Sequence, residues 1–158
     1  MGEQRFGLGF DSHPRDETRP CRIGGVEFEG EAGLAGHSDA DVLCHAVADA
    51  MLGAAGLGDL GRHFPDTDPR YEGMRGLELL RRTAGLVRER GLKPTSCDAT
   101  VIAERPAIST RSDEIRANLA RALGLGEARV SVKATRPEGV GLSGDGAACI
   151  ALAVLSET

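Results

Sequence analysis

The sequence predicts an α/β sandwich, a mixed four-stranded sheet with helices packed on one face, plus a small N-terminal hairpin. Three observations predict it. Short apolar or alternating runs recur between stretches whose apolar residues repeat at helical spacing. Glycine or proline stands at most junctions between them. No repeat, linker or low-complexity tract divides the 158 residues, so a single domain over 1–158 is expected.

Residues 5–10 (Arg-Phe-Gly-Leu-Gly-Phe) alternate and read as a strand ending in Asp11-Ser12-His13. After a polar loop, Cys21-Arg-Ile-Gly-Gly-Val-Glu-Phe28 reads as a hairpin turning at Gly24-Gly25. A first helix is predicted from Ser38, a good N-cap, with Asp41 as its capping-box-like partner. Val42, Leu43, Ala46, Val47, Ala50 and Met51 repeat at helical spacing, and the glycines at 53 and 56 end the helix. Residues 57–71 form a long loop without a dominant period, a length that is usually functional or disordered. A second helix spans about 72–90, with Leu77, Leu80, Ala84 and Val87 on one stripe, and stops at Gly91. A strand at 96–103 precedes Pro106; Ser109 or Thr110 then caps a third helix through Leu123, ended by Gly124. Strand 129–135 leads into a glycine-rich turn at 139–146, and Ala147–Leu155 reads as a buried strand. The arrangement expected is ferredoxin-like.

Composition removes several function classes. Nineteen basic against 24 acidic residues leave a net charge of −5, which argues against a basic nucleic-acid surface. Five aromatic residues and no Trp make a poor stacking platform for bases. No apolar run approaches the roughly 18–20 residues of a membrane span. The start, Met1 to Phe6, has no hydrophobic signal region, and Phe6 stands where a myristoylation signal needs Ser or Thr. A cytoplasmic protein is expected. Cys21, Cys44, Cys97 and Cys149 lack C-x-x-C spacing and read as reduced packing residues.

All four histidines fall within the first 63 residues. Asp11 and His13, two apart at a strand end, point to one face; alone they read equally as a solvated strand end. His45 sits two turns into the predicted helix, with Asp41 and Asp49 four residues to either side. Its alternative is a surface histidine in a charged stripe. Asp11, His13 and His45 together make an N₂O set for Zn²⁺ with a fourth position open. Asp49 reads either as the acceptor that orients His45 or as a surface carboxylate. His37 precedes Ser38, a plain cap or part of an anion site built from the helix's first N–H groups. Such a site beside an open metal position suits phosphate chemistry. Asp59 and Pro65-Asp66-Thr67-Asp68-Pro69 add carboxylates and a hydroxyl, or form an acidic, proline-bounded turn. Lys133, Thr135 and Glu138 suit a diphosphate with Mg²⁺ on Glu138, or form an exposed strand end.

Asp11-Ser12-His13, Gly36-His-Ser-Asp-Ala-Asp-Val-Leu-Cys-His45, Leu52-Gly-Ala-Ala-Gly-Leu-Gly-Asp-Leu-Gly61 and His63-Phe-Pro-Asp-Thr-Asp-Pro69 resemble the 2-C-methyl-D-erythritol 2,4-cyclodiphosphate synthases of the non-mevalonate isoprenoid pathway. Ala103-Glu-Arg-Pro106 and Val132-Lys-Ala-Thr135 continue the likeness, more loosely. The resemblance implies a homotrimer with active sites between neighbouring subunits. It also implies a CDP-linked substrate, 4-diphosphocytidyl-2-C-methyl-D-erythritol 2-phosphate, whose 2-phosphate attacks the β-phosphorus and expels CMP. By that likeness Asp11, His13 and His45 bind Zn²⁺, one per subunit, and His37 and Ser38 hold a phosphate. Asp59, Gly61, Phe64, Pro65, Asp66, Thr67 and Asp68 contact the methylerythritol part, with Leu79 nearby. Ala103, Pro106 and Thr135 line the cytidine and phosphate end, and Glu138 takes Mg²⁺ or Mn²⁺.

Three positions depart from the family pattern. Ala107 stands where the family usually has Lys, and Arg136-Pro137 replace a second Thr. Arg136 is expected to supply the charge that Ala107 lacks. Gly144-Asp145-Gly146-Ala147-Ala148 lacks a basic residue that the family places near the trimer axis, so weak or absent binding of isoprenoid diphosphates is expected there. The alternative reading is a divergent paralogue, a zinc-dependent phosphoester hydrolase or a non-catalytic nucleotide binder. A small structural domain with a buried histidine cluster is a third. At 158 residues no room is expected for a fused cytidylyltransferase.

Overall fold

A computed structural model describes residues 2–141 and 143–158. In chain order the elements are β1 (Gln4–Ile23), β2 (Val26–Leu34), α1 (Val42–Ala54), α2 (Leu60–His63), α3 (Gly76–Glu89), β3 (Leu92–Ala103), α4 (Ser112–Leu123), β4 (Val130–Thr135) and β5 (Gly146–Glu157). Leu142, inside the glycine-rich turn expected at 139–146, lies outside the described residues.

The sheet has five strands, in the order β2-β1-β5-β3-β4, not four plus a separate hairpin. The difference lies in β1. Its first half pairs antiparallel with β5, from Gln4↔Ser156 to Pro14↔Gly146. Its second half pairs with β2, from Arg15↔Leu34 to Ile23↔Val26. The polar run 14–20 reads as a loop because it lacks the apolar alternation of a half-buried strand, yet its backbone continues the ladder through a bulge between Asp16 and Pro20. Among the described residues only β3 and β4 pair in parallel, with helix α4 in the crossover between them.

Helix α1 lies directly on the sheet. A Cβ at Gly9 would come 2.0 Å from the Ala46 carbonyl oxygen, and one at Gly7 1.9 Å from that of Ala50. Glycines at these two positions let the helix backbone touch the strand. With α3 packed on its other side, α1 buries nearly every residue. The opposite sheet face carries Phe6, Leu8, Phe10 and Leu152, all exposed.

The first helix begins at Val42, later than the sequence indicates. Ala40 takes a left-handed φ of 56°, which breaks a helix starting at Ser38. Asp41 is the N-cap, its carboxylate accepting from Cys44 N at 3.1 Å and from the amides of Gly24 and Gly25 at 2.9 and 2.8 Å. That one buried side chain joins the β1–β2 turn to the helix start. Helix α3 likewise begins at Gly76 rather than 72, where Asp39 accepts from Gly76 N at 2.9 Å. A 3₁₀ turn, Ile108–Arg111, precedes α4, and a single helical turn, α2, interrupts the loop expected at 57–71.

Candidate active site

Strand β1 presents Asp11 and His13 on one face, and the second turn of α1 brings His45 to meet them. Asp11 Oδ2 lies 2.9 Å from His13 Nε2 and 3.2 Å from His45 Nδ1, and the two ring nitrogens are 3.3 Å apart. Each residue offers one ligand atom, all within 4.8 Å of one another. Three lone-pair donors converge on one point, which favours a shared cation and fits a divalent metal bound through two nitrogens and one oxygen. His45 is buried at 5% exposure, so the surface-stripe reading does not hold.

Burial opposes ionisation of Asp11, but the hydrogen bonds and charges of His13 and His45 outweigh it and lower the carboxyl to about 2. Burial likewise opposes protonation of His45, and the hydrogen bond and charge of Asp11, with Asp41 and Asp39 behind, overcome it and raise its pKa.

The other His45 nitrogen, Nε2, lies 3.1 Å from Ser38 Oγ. Ser38, not Asp49, is thus the residue that holds the ring. Asp49 sits on α1 but accepts from Leu60 N at 3.0 Å, anchoring α2. Ser38 is not the helix cap either, and at the helix start that forms, beyond Asp41, the Cys44 N–H is taken by the Asp41 carboxylate. The loop before the helix, residues 36–40, replaces the helix end as the candidate phosphate wall.

A cavity of about 490 Å³ opens beside the triad. Besides Asp11, His13 and His45 it is lined by His37, Ser38, Gly61, Phe64, Pro65, Asp66 and Leu79, all expected here. Gly36, Leu60 and Tyr71 also line it and are additions. Tyr71 packs edge-on to Phe64 at 5.3 Å, and the signal for it was its position as the single tyrosine closing the loop. Asp59, Thr67 and Asp68 do not line the cavity. Asp59 caps α2 through Arg62 N at 3.0 Å. Asp68 pairs with Arg70 at 2.6 Å and offers its carbonyl to His37 Nε2 at 3.2 Å, so it orients His37. His63 donates from Nε2 to Leu57 O, 2.8 Å away, and holds the loop together.

A second cavity of about 190 Å³ contains Ala103, Pro106, Thr135 and Arg136, with Glu104 and Ala107. Arg136 therefore shares a cavity with Ala107, the arrangement that compensation requires. Glu138 lies just beyond, its N–H bonded to Glu104 Oε1 at 3.1 Å and its φ at 53°. Among the described residues none lines both cavities. Burial pushes the thiols up, Cys21 to about 11 and Cys97 to about 12, so none is a thiolate nucleophile.

The model of the YgbB family matches residues 4–156. The chain belongs to the YgbB family. The family match spans every element from β1 to β5. A relative from Anaeromyxobacter dehalogenans, named bifunctional enzyme IspD/IspF, is 56% identical over 151 residues, covering 94% of this chain and 39% of its own. One from Alkaliphilus oremlandii, named 2-C-methyl-D-erythritol 2,4-cyclodiphosphate synthase, is 48% identical over 152 residues, covering 96% of this chain and 97% of its own. A solved CDP-bound structure of a protein with that name superposes with a TM-score of 0.83 at 36% identity, covering 96% of this chain and 98% of the other. This YgbB chain thus spans about two fifths of its bifunctional relatives and nearly all of the monofunctional ones.

Proposed function

We propose that this chain closes 4-diphosphocytidyl-2-C-methyl-D-erythritol 2-phosphate to 2-C-methyl-D-erythritol 2,4-cyclodiphosphate, releasing CMP, in the non-mevalonate route to isoprenoid precursors. The observation that carries it is the convergence of Asp11, His13 and His45 beside His37 and Ser38 in one cavity of a YgbB-family chain. An oxygen of the 2-phosphate forms the new bond to the β-phosphorus as the bond to CMP breaks. That oxygen is already anionic, so orientation and charge neutralisation suffice without a strong base. When bound, Zn²⁺ on Asp11, His13 and His45 and Mg²⁺ or Mn²⁺ on Glu138 supply positive charge beside the phosphate oxygens.

The chain's own residues do the rest. His37 and Ser38 hold the transferring phosphate. Gly61, Phe64, Pro65, Asp66 and Leu79 enclose the methylerythritol part, and Asp59, Thr67 and Asp68 shape that wall from behind. Ala103, Pro106, Thr135 and Arg136 hold the cytidine and its diphosphate. Because no described residue lines both cavities, the reading joins the metal cavity of one subunit to the nucleotide cavity of its neighbour in a homotrimer. The exposed apolar sheet face supports it. The four cysteines are free, which suits a cytoplasmic setting; among the described residues no helix is long and apolar enough to cross a membrane.

CMP release from the purified substrate with both metals present tests the proposal, with Asp11→Asn and His45→Ala as controls. No release would refute it. Ala107 favours a second reading, a metal-dependent phosphoester hydrolase or a non-catalytic nucleotide binder. CDP binding without CMP release would select it.

A further inference from the structure

The carbonyls of Gly36, His37 and Ser38 all have partners, and one side chain takes two of them. Arg19 donates through Nη1 to Gly36 O at 2.5 Å and through Nη2 to Ser38 O. Between them, His37 O accepts from Gly73 N at 3.0 Å. The guanidinium thus straddles His37 and binds the peptide on either side of it.

Local sequence delivers Arg19 there. Asp16 accepts from Thr18 N at 2.9 Å and from Thr18 Oγ1 at 2.6 Å, a turn that shapes the bulge in β1. Gly33 lets β2 close on that bulge, since a Cβ there would sit 2.4 Å from Arg19 O. The loop receiving Arg19 is strained, with Ala40 at a φ of 56°, and such a conformation persists only where surrounding contacts hold it. Asp39, the loop's other anchor, accepts from the amides of Asp41 and Gly76, beyond the stretch that Arg19 binds.

We propose that Arg19 is a positioning residue for the phosphate-holding pair His37-Ser38, a role that rests on the proposed cyclisation. Its fixed charge and fork of donors suit two carbonyls at once, which a lysine ammonium reaches less well. Peptide planarity turns the N–H of His37 to the side opposite the Gly36 carbonyl, and the N–H of Ser38 opposite the His37 carbonyl. With the carbonyl dipoles drawn toward Arg19 and Gly73, they do not oppose the phosphate charge. Arg19 reaches the reaction only through the loop.

The test compares the parental protein, Arg19→Ala and Arg19→Lys, each loaded with both metals. Arg19→Ala is expected to lower kcat at least about tenfold while KM changes less than about threefold. Arg19→Lys recovers part of the loss, and millimolar guanidinium restores activity to Arg19→Ala but not to the parental protein. Zinc content stays at the parental value. Amide hydrogen exchange over residues 36–40 accelerates about tenfold or more in Arg19→Ala, a readout that needs no turnover. Unchanged exchange and kcat within about twofold of the parent overturn the proposal. So does a loss that neither Lys nor guanidinium recovers and that tracks lost zinc. A parental protein that releases no CMP while exchange still depends on Arg19 refutes the reaction, not the clamp.

Discussion

Ser38 Oγ and His45 Nε2 lie 3.1 Å apart, so the hydroxyl proposed to hold a phosphate also fixes the ring that faces the candidate metal position. Partners of this kind set ring orientation and typically change metal affinity about 10–100-fold when removed. Ser38→Ala is therefore expected to weaken Zn²⁺ binding by about tenfold, besides any loss of turnover. Competition against a chelator of known affinity measures it. Unchanged zinc affinity would show that packing alone orients the buried ring.

The same triad predicts opposite pH effects on the metal-free and metal-loaded protein. Asp11 is lowered from 3.8 to about 2, so its contribution to stability is present above 3.8 and is lost as pH falls through about 2. His45 is raised above 6.5, so its contribution is complete below 6.5 and is lost as pH rises through the raised value. Without metal, the triad stabilises the fold most between 3.8 and 6.5. The gap in Tm between the metal-free parent and metal-free Asp11→Asn is expected to narrow from about pH 5 to about pH 8. Zinc affinity runs the other way, rising with pH as the His45 proton leaves. A gap that widens toward pH 8 would contradict the assignment.

Arg136 and Ala107 line one cavity, which makes compensation testable by exchange. Arg136→Ala is expected to raise KM about tenfold with kcat within about threefold, the signature of lost ground-state binding. Adding Ala107→Lys to that variant is expected to recover most of the loss. Steady-state kinetics on the three proteins decides it, and an unchanged KM in Arg136→Ala removes Arg136 from the nucleotide end.

Elements with a single period were legible in the sequence, and so was the metal triad. Leu77, Leu80, Ala84 and Val87 announce α3, and Asp11 with His13 share a face by strand alternation alone. Two features were not legible, for different reasons. The 20-residue β1 hides because residues 14–20 contribute backbone to the ladder while their polar side chains show no buried apolar alternation. The start of α1 hides because three candidate caps stand within four residues, Ser38, Asp39 and Asp41. Tertiary contacts choose among them: Gly24 and Gly25 bind Asp41, Gly76 binds Asp39, and His45 binds Ser38. Fold-dependent partners 7 to 37 residues away leave no local signal.

Gly9 tests the close contact of helix and strand. A methyl group there meets the Ala46 carbonyl oxygen at 2.0 Å and Ala50 N at 2.6 Å, both backbone atoms of α1 that no rotamer change can move. Gly9→Ala is expected to cost about 2–3 kcal/mol or more, as overpacked cores do. Gly53→Ala has nothing within 4 Å of its Cβ and serves as the control. Denaturant unfolding of both variants measures the difference, and equal midpoints would show that α1 slides away at little cost.

The outer sheet face tests the assembly. Phe6 stands opposite Val154, Leu8 opposite Leu152 and Phe10 opposite Ile150, so three cross-strand pairs form one apolar patch. Leu8 is 70% exposed and Phe6 62%, unusual for side chains that favour burial. A trimer about a threefold axis would cover this patch and bring the two cavities of neighbouring chains together. Light scattering is expected to give three times the 16.5 kDa chain mass for the parent and one chain mass for Leu8→Asp. The aspartate faces outward and leaves the core untouched, so the variant is expected to keep its zinc at Asp11, His13 and His45. Its CMP release should fall at least about a hundredfold, because half of each proposed composite site would be gone. A monomeric parent that releases CMP at full rate would place both cavities of the reaction within one chain and refute the composite site.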